Sequence, residues 1–457
     1  MLPTLRVAAA CLAVALFAPQ LRAQGSWINA YRDTATRLTQ AATRDTFAWQ
    51  RLAELTDTFG SRLSGSENLE RAIEWAADTM RKDGLENVRT ERVMVPKWVR
   101  GAERATIVSP PRHELRILGL GGTVPTPAGG VEADVMVVSS FDELQSRAAE
   151  ARGRIVLFNA PFTNYGETVT YRTGGARAAT QLGAVGVLVR SIGPTGLRTP
   201  HTGAVNYGTD LPRLPAAAVS AEDADRIARI VGRGERVRIH LLLESRVDPD
   251  AESFNVVGEI RGRERPDEIV LVGGHLDSWD VGAGASDDGA GCIVTWEAAR
   301  LMKALDIRPR RTVRVVLFTN EENGLRGGNG YAERYAAQAS NHVLALESDS
   351  GVFWPSVLGF SGGPMARLLI RDIATLLTPL GFGEVVMGGG GADIGPIAQA
   401  GNVPTMAYIG DPQQYFTIHH THADTVERIA PQDVSRAAAA IAVMTYVVAD
   451  MPERLPR

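Results

Sequence analysis

Cysteine and lysine are both scarce. Two cysteines, Cys11 and Cys292, occur in 457 residues, so no disulfide framework staples this chain. Its stability has to come from a buried core, for which the length is ample. Only three lysines are present (Lys82, Lys97 and Lys303), the net charge is −4, and no basic tract occurs anywhere. That balance offers no electrostatic footing for nucleic acid. A composition of 44% hydrophobic and 22% charged residues also excludes a wholly disordered chain and a coiled coil. The one pronounced apolar run, Val7–Phe17, is shorter than the ~20 residues a bilayer span needs, so no stable membrane anchor is expected. With Arg6 before it and Pro19 and Ala23 after it, the run has the layout of a secretory signal over residues 1–23. A secreted or periplasmic protein is the expectation, with Cys292 as its remaining cysteine.

Three textures follow. Residues 24–100 are mostly helical; Glu70–Lys82 puts Ala72, Ile73, Ala76 and Met80 on one face, with Asp83-Gly84 as a stop. Residues 101–250 hold short β-rich runs between Gly/Pro turns, with helical stretches at Asp142–Ala151 and Ala176–Gly183. That is an α+β unit of its own. It lacks any cluster of histidines and acids, and His113, His201 and His240 are expected to stand apart. Residues 251–457 alternate near-continuous apolar strands (Ile269–Gly273, Thr312–Thr319, Val343–Leu346) with helices, among them Gly289–Lys303 and Pro431–Met451. The fold class predicted is α/β, a mostly parallel sheet sandwiched by helices.

In such sheets ligand sites lie beyond the carboxyl ends of the strands, and acids gather in those loops. One strand is followed by His275-Leu276-Asp277 and, after a glycine-rich stretch, by Asp287-Asp288. The next leads into Asn320-Glu321-Glu322 and a third into Glu347-Ser348-Asp349, while a late loop reads His419-His420-Thr421-His422-Ala423-Asp424. Carboxylates crowded at one rim raise one another's pKa values unless a cation compensates. His275, Asp287, Glu322, Asp349 and His420 supply two imidazoles and three carboxylates. That set suits two Zn²⁺ ions, each with one His and one carboxylate and the third carboxylate shared. Asp277, two residues beyond His275, is placed to accept the imidazole N–H. Of the two adjacent glutamates one serves as ligand if the other, left free, is to move protons as general base.

These stretches, GGHLDSWDVGAGASDDGAG (273–291), FTNEENG (318–324), LESDSG (346–351) and HHTHADT (419–425), resemble the co-catalytic zinc exopeptidases of metallopeptidase family 28. The likeness runs from about Trp27 to the C-terminus. It implies the zinc exopeptidase fold with a protease-associated domain inserted at 101–250. It implies Asp287 as the shared ligand, His275 and Asp349 completing one zinc, Glu322 and His420 the other, and Glu321 as the base. His420 is preferred to His419 because the family ligand stands four residues before the acid of its motif, here Asp424. Asp288 joins the pair whose linking peptide is cis in the family. Two positions depart from the common pattern. Asp393 lies in a glycine loop (388–394) and is expected near the substrate. His419 stands where many relatives carry tyrosine, so it either polarises the scissile carbonyl or supports its neighbour. The implied activity is hydrolysis of dipeptides or short peptides, with an aminopeptidase as the main rival. An inactive peptidase fold reused as a binding module is disfavoured because all five ligands and the base are present. Family members are often dimers, which leaves a homodimer open.

Overall fold

A computed structural model describes residues 27–109 and 111–457; the expected signal segment lies outside them. The main sheet has eight strands, in spatial order Glu86–Val99, Arg246–Ile260, Arg311–Phe318, Arg265–His275, His342–Glu347, Thr405–Ile409, Val357–Ser361 and Val385–Met387. From Arg311–Phe318 to Thr405–Ile409 all neighbours run parallel, while the Arg246–Ile260 and Val357–Ser361 strands join antiparallel. The architecture is thus α/β with a parallel centre and mixed flanks. Central strands such as Arg311–Phe318 are buried along their whole length. That is why they read as continuous apolar runs rather than as alternating ones.

Helices cover both faces. Helix Ala290–Ala304 and the C-terminal helix Pro431–Asp450 pack together on one face, with the N-terminal helices outside them. Pro431–Asp450 is buried on every side through its alanine-rich middle, as expected of a helix inside a large core. The helix expected at Glu70–Lys82 spans Glu67–Lys82, capped by the Ser66 hydroxyl accepting from Leu69 N–H, and it buries the predicted face. A smaller core including Val257, Leu271, Phe318 and Ile397 fills the opposite face.

Residues between the adjacent main-sheet strands Glu86–Val99 and Arg246–Ile260 form a second eight-stranded sheet, ordered His113–Leu115, Glu103–Ser109, Arg238–Leu243, Val131–Val138, Ile155–Phe158, Gly186–Arg190, Ala216–Val219 and Ile117–Gly119. It has its own cores. Residues 246–250, grouped with this unit from sequence, belong to the main sheet instead: Val99, Trp98 and Lys97 pair with Arg246, Val247 and Asp248. Two helices differ from expectation. The first breaks at Arg147 into Phe141–Ser146 and Ala148–Ala151. The second starts at Tyr165, capped by Asn164, far ahead of Ala176. Gly174-Gly175 disguised that start, and Gly175 is needed there because a Cβ would come within 2.9 Å of the Phe158 ring.

The second sheet docks on the loop that follows His275. Arg100 grips Asp280 with two bonds of 2.8 and 2.6 Å, and Trp279 lies so close over Gly121 that a Cβ there would stand 1.9 Å from its ring.

One buried histidine in this fold belongs to no catalytic motif. His342 bonds the Tyr331 hydroxyl at 2.9 Å, and burial, with Arg314 nearby, holds it down at about 4. The unfolded chain therefore takes up a proton between about pH 6.5 and 4 that the folded chain refuses. This contribution, up to about 3 kcal/mol, is present above pH 6.5 and lost as the pH falls to 4. Urea unfolding of His342→Gln should show a shallower loss of stability than wild type over that window; equal slopes would contradict the assignment.

Candidate metal centre

His275 is the last residue of its strand and sits level with Phe318 on one neighbour, while Gly273 pairs with Glu347 on the other. That register brings the Asn320–Asn323 and Ser348–Asp349 loops to the same rim. His275 Nε2 lies 3.3 Å from both Asp287 Oδ1 and Asp349 Oδ1. His420 Nε2 lies 3.0 Å from both Asp287 Oδ2 and Glu322 Oε2. Asp287 therefore stands between the two imidazoles, one oxygen to each. The Asp287–Asp288 peptide is cis.

The donor atoms of His275, Asp287 and Asp349 lie within 4.8 Å of one another, as do those of Asp287, His419 and His420. Asp287 Oδ2 faces its histidine at close range yet lacks hydrogen-bond geometry, and Glu322 Oε1 is buried without a donor. Side chains aimed at shared points rather than at one another are what a pair of cations would satisfy, and the His/carboxylate chemistry suits zinc. The electrostatics agree. Burial and the neighbouring Asp287 push Glu322 up to about 7, and burial raises Glu321 well above the carboxylate range. Burial acts on Asp287 in the same sense, but His275 and His420 outweigh it and hold that carboxyl well down. Without a cation the cluster keeps protons that carboxylates ordinarily lose.

Three further acids hold the loops through backbone amides. Asp277 accepts from the amides of Glu321 at 3.1 Å and Glu322 at 3.3 Å. It does not take the imidazole N–H expected of it, because His275 Nδ1 bonds the Asp277 carbonyl at 2.9 Å with the carboxylate 3.8 Å away. The mid-loop carboxylate is better used on the unpaired amides of the glutamate turn. Asp288 accepts from the amides of His275 and Gly291, each at 3.1 Å. Asp424 accepts from Ser286 at 2.7 Å and Asp287 at 3.1 Å.

The remaining sequence-predicted residues divide. Glu321 is half-buried beside the buried Glu322. His419 stacks on His420 with ring centres 3.5 Å apart, its Nε2 3.4 Å from Asp287 Oδ2. Asp393 is brought close but sealed: neither carboxylate oxygen has a partner or solvent access, and its amide donates to Glu347. His422 is exposed and outside the cluster.

His201 is not isolated. It lies buried against the His419-His420 pair, and burial together with His420 holds it down at about 3. The second sheet meets the site there. Thr202 N–H donates to the His420 carbonyl at 2.9 Å, the Thr202 carbonyl faces His420 Nδ1 at 3.3 Å, and Arg172 Nη1 reaches that nitrogen at 3.4 Å. No local signal announces these contacts, since Arg172 and His420 stand 248 residues apart.

The model of peptidase family M28 matches residues 255–445. Carboxypeptidase Q of Mus musculus is 46% identical over 430 residues, covering 93% of this chain and 91% of its own. The crystal structure of a peptidase M28 precursor from Shewanella amazonensis superposes with a TM-score of 0.91 at 35% identity, over 94% of this chain and 99% of that one. A zinc aminopeptidase from Bacillus subtilis shares the fold, with a TM-score of 0.67 at 21% identity and coverage of 89% and 96%.

Asp424→Ala would leave the Ser286 and Asp287 amides without their acceptor. Zinc retained on dialysis against a weak chelator should then fall by about tenfold or more. Wild-type retention would mean that Asp287 needs no such support.

Proposed function

The chain belongs to peptidase family M28 and is a zinc metallopeptidase, and from that premise we propose a di-zinc exopeptidase acting on dipeptides and short peptides. The observation that carries the count of two is Asp287 with one oxygen toward His275 and the other toward His420. His275 and Asp349 would complete one ion and Glu322 and His420 the other, with Asp287 shared. When bound, zinc supplies Lewis acidity, making water more acidic and favouring negative charge on the scissile carbonyl oxygen.

The chain's own residues do the rest. Glu321, whose amide is pinned by Asp277, takes the proton of the attacking water and delivers it to the leaving amine. Glu322, buried and facing His420, is left to hold charge rather than to move protons. His419 is locked by stacking on His420, and its Nδ1 is buried without a partner, which favours support of the ligand. Carboxypeptidase Q, matched along nearly the whole length, supports a preference for a free C-terminus. The second sheet fits a protease-associated domain that covers the back of His420. None of the described helices is long and apolar enough to cross a membrane, and export rests on the N-terminal sequence.

Two measurements test this reading. Turnover of a dipeptide, its N-acetyl form and its C-terminal amide should be lost mainly on amidation; loss mainly on acetylation would make the enzyme an aminopeptidase. Glu321→Gln should keep two zinc ions per chain while turnover falls by about 10²–10⁴-fold, whereas Glu322→Gln should drop occupancy toward one. The reverse pattern would shift the assignment by one residue, and full activity in both would place the chemistry elsewhere.

A further inference from the structure

Between His275 and Asp287 the chain must cross a buried stretch, Leu276–Gly284, that forms neither helix nor strand. Its carbonyls have no ladder to join, and buried carbonyls need donors from elsewhere. One side chain supplies three of them. Arg62, completely buried, lies in the connection between helices Phe47–Phe59 and Glu67–Lys82, outside the segment matched by the family model. Its Nε donates to the Leu276 carbonyl at 2.8 Å, Nη1 to Ala283 at 2.7 Å and to its own Gly60 at 2.8 Å, and Nη2 to Gly284 at 2.9 Å. Its backbone joins in. Arg62 N–H donates to Ser278 Oγ at 3.0 Å, and Ser278 N–H donates back to the Arg62 carbonyl at 3.2 Å.

The contacts bracket the loop. Leu276 follows His275 directly, and Gly284 precedes Asp287 by three residues. A single rigid, planar group therefore sets the distance between His275 at a strand end and Asp287 at the entry to the next helix, two side chains that must face the same ion. Its hydrogen bonds go to none of the five candidate ligands, and among the described residues it forms no ion pair; Asp277, Asp288 and Asp424 are the acids whose charge it feels. Backbone room has been cleared for it as well. Gly284 adopts φ +56°, and a Cβ there would meet Ser278 Cβ at 2.3 Å and Arg62 Nη2 at 3.0 Å. A lysine would keep the charge but lose the fork of donors that spans three carbonyls.

Building on the di-zinc reading, we propose that Arg62 is a positioning residue that clamps the Leu276–Gly284 loop and so presets the spacing of His275 and Asp287 for metal. The N-terminal helices are thereby part of the metal site, although they contribute no ligand.

The test is zinc titration of metal-free protein by competition with a chromophoric chelator, alongside the melting of the same metal-free samples. The wild type, Arg62→Lys, Arg62→Ala and Gly284→Ala are compared. Arg62→Lys should melt within a few degrees of wild type yet bind zinc about 10–100-fold more weakly. Arg62→Ala should weaken likewise and regain affinity with added guanidinium but not with ammonium. Gly284→Ala, which keeps the arginine but strains the backbone at a carbonyl it grips and crowds Ser278, should repeat the loss. Wild-type affinity in Arg62→Lys or Gly284→Ala would overturn the proposal. So would rescue by ammonium, or metal-free variants that are all unfolded, which would make Arg62 a folding element. A wild-type stoichiometry other than two would count against the di-zinc reading and is read separately from the clamp.

Discussion

Seven carboxyl groups, Asp277, Asp287, Asp288, Glu321, Glu322, Glu347 and Asp349, lie at or beyond the ends of three neighbouring parallel strands. Water reaches few of them, and burial, reinforced by the neighbouring acids, drives most of them toward the protonated form. Two imidazoles cannot neutralise so much charge. The compensation has to be a compact, strongly charged cation, and the rest of the rim is arranged around where it would sit. Asp287 marks that place from the protein side, because it faces both histidines.

Around this centre the acids divide by what they bond. Asp277, Asp288 and Asp424 spend their oxygens on backbone amides of the residues that carry the candidate ligands and the base. The division follows from the loops themselves. Chain that leaves a strand to reach a site abandons its ladder partners, and its buried amides and carbonyls then require side chains. Acids serve the amides, and the Arg62 guanidinium serves the carbonyls. Loops built this way can be irregular in path yet fixed in place, as pre-organised binding requires.

The second sheet is coupled to the same centre. Through Arg100 and Asp280 it holds the loop after His275, and through Thr202 and Arg172 it backs His420. His420 sits at φ +60°, a backbone conformation that side-chain-bearing residues rarely adopt without support from their surroundings. Its Nδ1 meets the Thr202 carbonyl and Arg172 Nη1, while Nε2 faces Asp287 and Glu322. The sheet inserted between two adjacent strands of the main sheet thus holds His420 in place from behind.

Much of this was legible from residue order. Apolar runs of strand length followed at once by acids and histidines identify strand ends at a common rim, and in a parallel sheet those ends must converge. The sequence by itself thus determined the α/β core, the family resemblance, and the candidate set His275, Asp287, Glu321, Glu322, Asp349 and His420. Only the tertiary structure decided which atom each side chain faces. It turned Asp277 from the imidazole to the glutamate amides, sealed Asp393 behind Glu347, and brought His201 and Arg172 against His420. It also set Arg62 on carbonyls more than 200 residues away. The physical reason is range. Periodicity and strand-end position are local properties that a sequence displays directly. A hydrogen bond across 214 residues leaves no pattern in the chain and exists only once the core has packed.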